Sequence, residues 1–126
     1  FVVADIPGLI EGAHTGAGLG HRFLKHVERT RILVHLIDAV MLDPENPLAG
    51  FRTINREIDR YSEVLAQKSQ IVVLNKLDLP EAARGAERFE AARGAPKALR
   101  ISAVTGKGVS VLINRISQEL TRLDEP

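Results

Sequence analysis

The 126 residues contain no cysteine and no tryptophan, and only one methionine and one tyrosine. Without cysteine the chain has no disulfide, no thiolate metal site and no cysteine nucleophile, which fits a reducing cytosol. There is little excess charge of either sign: 17 Lys and Arg stand against 16 Asp and Glu, a net charge of +1. So even a balance gives no case for a nucleic-acid arm, a polybasic membrane patch or an acidic tail. No apolar run approaches the roughly 20 residues needed to cross a bilayer, and no signal-peptide pattern opens the chain. What is present is 44% hydrophobic and 26% charged residues, the composition of a globular protein and not of a disordered one. The length is that of one domain.

Three apolar, β-branched runs organise the chain. Residues 32–37 end at Asp38, residues 71–74 end at Asn75, and residues 98–101 end at Ser102. Residues 1–4, ending at Asp5, read as the tail of a fourth strand, so the chain opens in the middle of a domain. The runs are mostly continuous and not alternating, as in strands buried on both faces of a parallel sheet. Between them lies helical periodicity. Phe51, Ile54, Ile58, Tyr61 and Leu65 form one apolar stripe and Leu112, Ile116, Leu120 and Leu123 another; Phe23, Leu24 and Val27 suggest a shorter helix. Pro80-Glu81 is a good helix opening, while Gly85 and Gly94 weaken the helix between them. Strands alternating with crossover helices predict an α/β domain with right-handed connections. In such sheets ligands sit at the carboxyl ends of the strands, where Asp5, Asp38, Asn75 and Ser102 all fall.

Three short motifs lie on that edge. In Asn75-Lys76-Leu77-Asp78, an amide at a strand end can hydrogen-bond a purine edge. A buried carboxylate three residues on can accept two N–H bonds from guanine N1 and N2. Adenine lacks that donor pair and leaves the carboxylate unpaired, at about 1–3 kcal/mol for each unmade bond. The Lys76 stem can lie over the ring. In Asp5-Ile6-Pro7-Gly8, the carboxylate can reach Mg²⁺, usually through water, and Gly8 can bring its N–H close to a terminal phosphate. In Ile101-Ser102-Ala103, the Ala103 N–H can face guanine O6. Each motif alone is also a common turn after a strand; their order and shared strand-end setting carry the argument.

Together they resemble the third, fourth and fifth motifs of a Ras-like GTPase. The run from Ala4 to Gly20, with Phe23-Leu24, His26, Glu28-Arg29-Thr30-Arg31 and the strand to Asp38, resembles the Obg family of bacterial GTPases. The resemblance covers the whole chain and is strongest from Val3 to Ala39. It implies a P-loop NTPase-like, mostly parallel sheet with helices on both faces, here lacking its N-terminal part. It also implies GTP and GDP as substrate and product, and Mg²⁺ held by Asp5 through water. Gly8 would sense the γ-phosphate, and residues 9–20, rich in glycine, would be the mobile switch. Asn75, Lys76, Asp78, Ser102, Ala103 and Val104 would hold the base. The implied partner is the large ribosomal subunit or its rRNA, with a role in assembly or stress signalling.

Two features depart from the Ras-like pattern. Leu9 stands where many such enzymes carry the glutamine that orients the attacking water, so intrinsic hydrolysis is expected to be slow and assisted by a metal ion, another residue or a partner. No G-x-x-x-x-G-K-[ST] phosphate loop and no switch I threonine occur in the 126 residues. The resemblance places both before Phe1, with a strand between residues 1–4 and 32–37. Losing that strand strips roughly ten ladder hydrogen bonds at about 0.5–1.5 kcal/mol net each, as much as a domain's stability. The expectation is therefore a partial G domain that is inactive alone. The alternative is a non-catalytic, degenerate G domain that binds a ribosomal or protein partner. An ATP-specific relative is disfavoured because Asp78 is intact.

The remaining polar residues have ordinary readings. His35 sits in a buried strand pattern as a hydrogen-bonded structural residue, and the four histidines show no metal spacing. Asp38 caps the turn after its strand. Arg29 and Arg31 are surface or helix-end charges, and residues 43–47 form a rigid loop before a helix.

Overall fold

The computed structural model describes residues 1–3 and 28–125. The helix expected near Phe23 and the motif around Asp5, Gly8 and Leu9 lie outside the described residues.

Three strands form a parallel sheet in the order β1 (Ile32–Asp38), β2 (Ser69–Asn75), β3 (Ala98–Arg100). The central strand β2 carries Ile71, Val72, Val73 and Leu74, all buried, because helices cover both faces. On one face, Ile37, Val72 and Leu74 pack with Leu48, Ala82, Ala86 and Phe89. These come from the approach to helix α1 (Ala49–Tyr61) and from α3 (Pro80–Ala91). On the other face, Ile71, Val73 and Ile101 pack against Ile116 of α4 (Val109–Asp124). The described residues are thus a parallel α/β layer with helices on both sides, as the run pattern predicts.

The first apolar stripe does not belong to a single helix. The chain leaves α1 at Ser62, which is extended at φ −160°, and Ser62 Oγ accepts the Leu65 N–H to cap a separate turn, α2 (Glu63–Ala66). A serine hydroxyl competes with the backbone ladder in this way, and a stripe of apolar residues cannot report it. The doubt over Gly85 also resolves: α3 runs through it, starts at Pro80 and ends before Gly94, which is left-handed. Gly85 is there for space, since a Cβ would stand 2.0 Å from the Ala39 carbonyl oxygen.

Residues 1–3 take no strand conformation and are exposed, Val2 at 96%. The expected fourth strand is not formed there because, among the described residues, no neighbouring strand pairs with them. A groove of about 1000 Å³ opens between these residues and the outer side of β1, lined by Val34, Leu36, Leu112 and Leu120. It lies where the resemblance sets a further strand.

His35 is structural, as expected. It stacks on Phe51 with centroids 5.5 Å apart, and its Nδ1 lies 3.4 Å from Gln70 Oε1. Burial holds its pKa below the ordinary value against the opposing pull of that hydrogen bond. At the far edge of the sheet Glu119 is buried and accepts from Arg122, Ser69 and Arg115. Those bonds, Arg122 first and then Ser69, outweigh burial and hold its carboxyl at about 2. Among the described residues, no helix is long and apolar enough to cross a membrane.

Candidate purine-binding edge

The site is assembled at the carboxyl ends of the three strands. Parallel register sets Asp38 directly beside Asn75. The β2–β3 ladder continues past β3, with Ile101 N–H donating to Leu74 O at 2.8 Å and Leu77 N–H to Ile101 O at 3.1 Å. Residues 75–78 and 101–103 therefore leave the sheet side by side, although 24 residues and a helix separate Asp78 from Ser102.

Two cross-links join these segments. Ser102 Oγ donates to Asp78 Oδ1 at 2.8 Å and accepts the Thr105 N–H at 3.1 Å. Ser102 is 2% exposed, so its hydroxyl is a buried relay with both roles filled, as a buried hydroxyl requires. Asn75 Oδ1 accepts the Ala103 N–H at 3.0 Å. That N–H, expected from the sequence to face guanine O6, already has a partner, and a base here would share it. Asp78 itself is exposed, not buried as the sequence reading supposed. It follows the last residue of β2 by three positions, on a turn beyond the sheet. The cost of leaving it unpaired then arises when a base covers it.

The loop that carries Ala103 is held by backbone geometry. Ser102 N–H donates to Lys107 O at 2.9 Å and Gly106 N–H to Ser102 O at 2.8 Å. Gly106 and Gly108 are left-handed, with φ of 84° and 82°. At Gly108 a Cβ would also lie 2.4 Å from the Arg100 carbonyl oxygen, so glycine is required on two grounds. The Gly106-Lys107-Gly108 segment is a loop clamp leading into α4, with no role as a phosphate loop.

Lys76 was expected to lie over a ring. It adopts φ 71°, alone among the described non-glycine residues, and its Nζ lies 2.8 Å from Asp38 Oδ2. Asp38 Oδ1 accepts the Val40 N–H at 2.9 Å, so the expected turn cap is present, together with an ion pair that the sequence reading missed. Burial pushes the Asp38 carboxyl up, but the Lys76 hydrogen bond and charge, with the Val40 and Met41 N–H groups, bring it below its ordinary value. The only available signal was Asp38's position at a strand end beside Asn75.

Ser102 occupies one of the roughly four acceptor sites of the Asp78 carboxylate, Asn75 Oδ1 is hydrogen-bonded to the Ala103 N–H, and the Lys76 ammonium is held by Asp38. The Mg²⁺ assignment rests on Asp5, outside the described residues. Among the described residues no group of three His, Asp or Glu side chains could hold a metal ion.

The fold is of the parallel α/β class, with the candidate site at the carboxyl ends of its strands. Residues 1–76 match the family model described as 50S ribosome-binding GTPase. The chain is 56% identical to a GTPase Obg of Desulfatibacillum aliphaticivorans over 119 residues, 94% of this chain and 35% of that protein. It is 56% identical to a GTPase Obg of Desulfosudis oleivorans over 98% of this chain and 37% of the relative. For a GTPase Obg of Roseiflexus castenholzii the figures are 49% identity, 100% and 29%. A crystal structure titled as a nucleolar GTP-binding protein 1 of Plasmodium falciparum aligns at TM-score 0.43 and 18% identity, over 95% of this chain and 67% of that one. The chain belongs to the Obg family of GTPases. It spans about a third of the length of the curated relatives it matches.

Proposed function

We propose that this chain is the base-recognising part of a switch domain that hydrolyses GTP to GDP and phosphate in its full-length protein. The observation that carries the reading is the meeting of Asn75, Asp78, Ser102 and Ala103 at one sheet edge, cross-linked at 2.8 and 3.0 Å. On this reading the Asp78 carboxylate accepts guanine N1–H and N2–H while Ser102 fixes its rotamer. The Asn75 amide faces the imidazole side of the purine, and the Ala103 N–H is shared with O6. Gly8 contacts the γ-phosphate and Asp5 binds Mg²⁺ through water; bound there, the ion supplies charge neutralisation at the phosphates. Leu9 cannot orient water, so hydrolysis is slow without assistance. The 126 residues alone, carrying no phosphate loop, bind GTP no better than about millimolar. The same reading places its action on the large ribosomal subunit, in assembly or stress signalling in the cytoplasm; the family description, a 50S ribosome-binding GTPase, supports the ribosomal part.

The test is nucleotide competition on the full-length protein. GDP should bind at least roughly tenfold more tightly than IDP, which lacks the 2-amino donor, and ADP should bind more weakly still. Equal affinities for the three would contradict the reading.

A further inference from the structure

Lys76 joins two unusual features. Its backbone is left-handed, a conformation that costs an ordinary side chain energy and persists where surroundings impose it. Its ammonium is held 2.8 Å from Asp38, on the neighbouring strand end. The Asp38 carboxylate is engaged on both oxygens, by Lys76 on one and the Val40 N–H on the other, so it cannot swing away. The pair is between about a third and a half exposed, at 48% for Lys76 and 32% for Asp38, and an ion pair so wetted adds little to stability. Its consequence is therefore where it puts the ammonium.

A second carboxylate stands near Lys76 in the sequence. Asp78 lies two residues along the chain, and Ser102 takes only one of its oxygens. An ammonium on Asp78 would occupy the acceptor sites that a base's paired N–H groups require. We propose that Asp38 is a positioning residue of the base site: it draws the Lys76 ammonium toward β1, which directs the alkyl stem away from Asp78 and reserves that carboxylate for guanine. The proposal rests on the guanine reading above and goes beyond it in assigning a specificity role to a residue that does not touch the base.

The test uses the full-length protein, with GDP and IDP as probes. Asp38→Asn keeps an oxygen for the Val40 N–H and removes the charge. It should leave the melting temperature nearly unchanged while the preference for GDP over IDP falls roughly tenfold, the scale of one charged hydrogen bond. Asp38→Glu should restore part of that preference. In a Lys76→Met background, Asp38→Asn should have no further effect, because no ammonium remains to redirect. An unchanged GDP/IDP ratio in Asp38→Asn, or the same loss with Lys76→Met present, would overturn the positioning role. A wild-type protein with no preference for GDP would instead overturn the guanine reading beneath it.

Discussion

Ser102 donates its hydroxyl hydrogen to Asp78 at 2.8 Å while accepting the Thr105 N–H at 3.1 Å, so one buried side chain ties the loop after β3 to the acidic residue of the turn after β2. On the proposed reading, the bond sets the carboxylate's orientation before a base arrives. Preorganisation of this kind lowers the ordering cost of binding.

Ser102→Ala should weaken GDP binding without moving the fold. Loss of the hydroxyl leaves the Thr105 N–H and one Asp78 oxygen without their partner, at about 1–3 kcal/mol. Isothermal titration on the full-length protein should show a Kd raised roughly five- to hundredfold, with the circular dichroism spectrum retained.

Gly85 and Gly50 make a matched pair. Gly85→Ala drives a Cβ into the Ala39 carbonyl oxygen at 2.0 Å, and backbone on backbone cannot yield cheaply, so stability should fall by about 1–3 kcal/mol. Gly50→Ala meets nothing within 4 Å and lies in the first turn of α1, so it should be neutral or stabilising by up to about 1 kcal/mol. Thermal unfolding of both variants decides the matter; equal melting temperatures would contradict the packing described.

Acid sensitivity should come in two windows. His35 is held below its ordinary 6.5 chiefly by burial, so the unfolded chain binds its proton first and stability is lost as pH falls below 6.5. Glu119 is held at about 2 against an ordinary 4.5, chiefly by Arg122, so its contribution is complete above pH 4.5 and disappears as pH falls toward 2. His35→Gln should flatten the first window and Glu119→Gln the second, read by urea unfolding across pH.

Much of this was legible in the sequence because it depends on periodicity and strand ends. The runs ending at Asp38, Asn75 and Ser102 became β1, β2 and β3 with differences of one or two residues at their bounds, and Pro80-Glu81 did open a helix. What was not legible depends on contacts across the sheet. The Asp38–Lys76 pair arises from parallel register. The engagement of the Ala103 N–H by Asn75 arises from two loops leaving adjacent strands. The break at Ser62 comes from a hydroxyl preferring a cap to a helix interior, and the need for glycine at position 85 comes from a loop carbonyl 46 residues away. None of these leaves a mark on hydrophobic spacing.

The central claim is that Asp78 reads the base, and exchanging its acceptor for a donor tests it most directly. An asparagine offers an N–H where guanine also offers one, and an acceptor on the base at that place, as in xanthine, restores the match. In the full-length protein Asp78→Asn should lose GDP affinity by roughly a hundredfold or more and bind XDP better than the wild type does. Unchanged GDP binding, or a loss with no gain for XDP, would contradict the account.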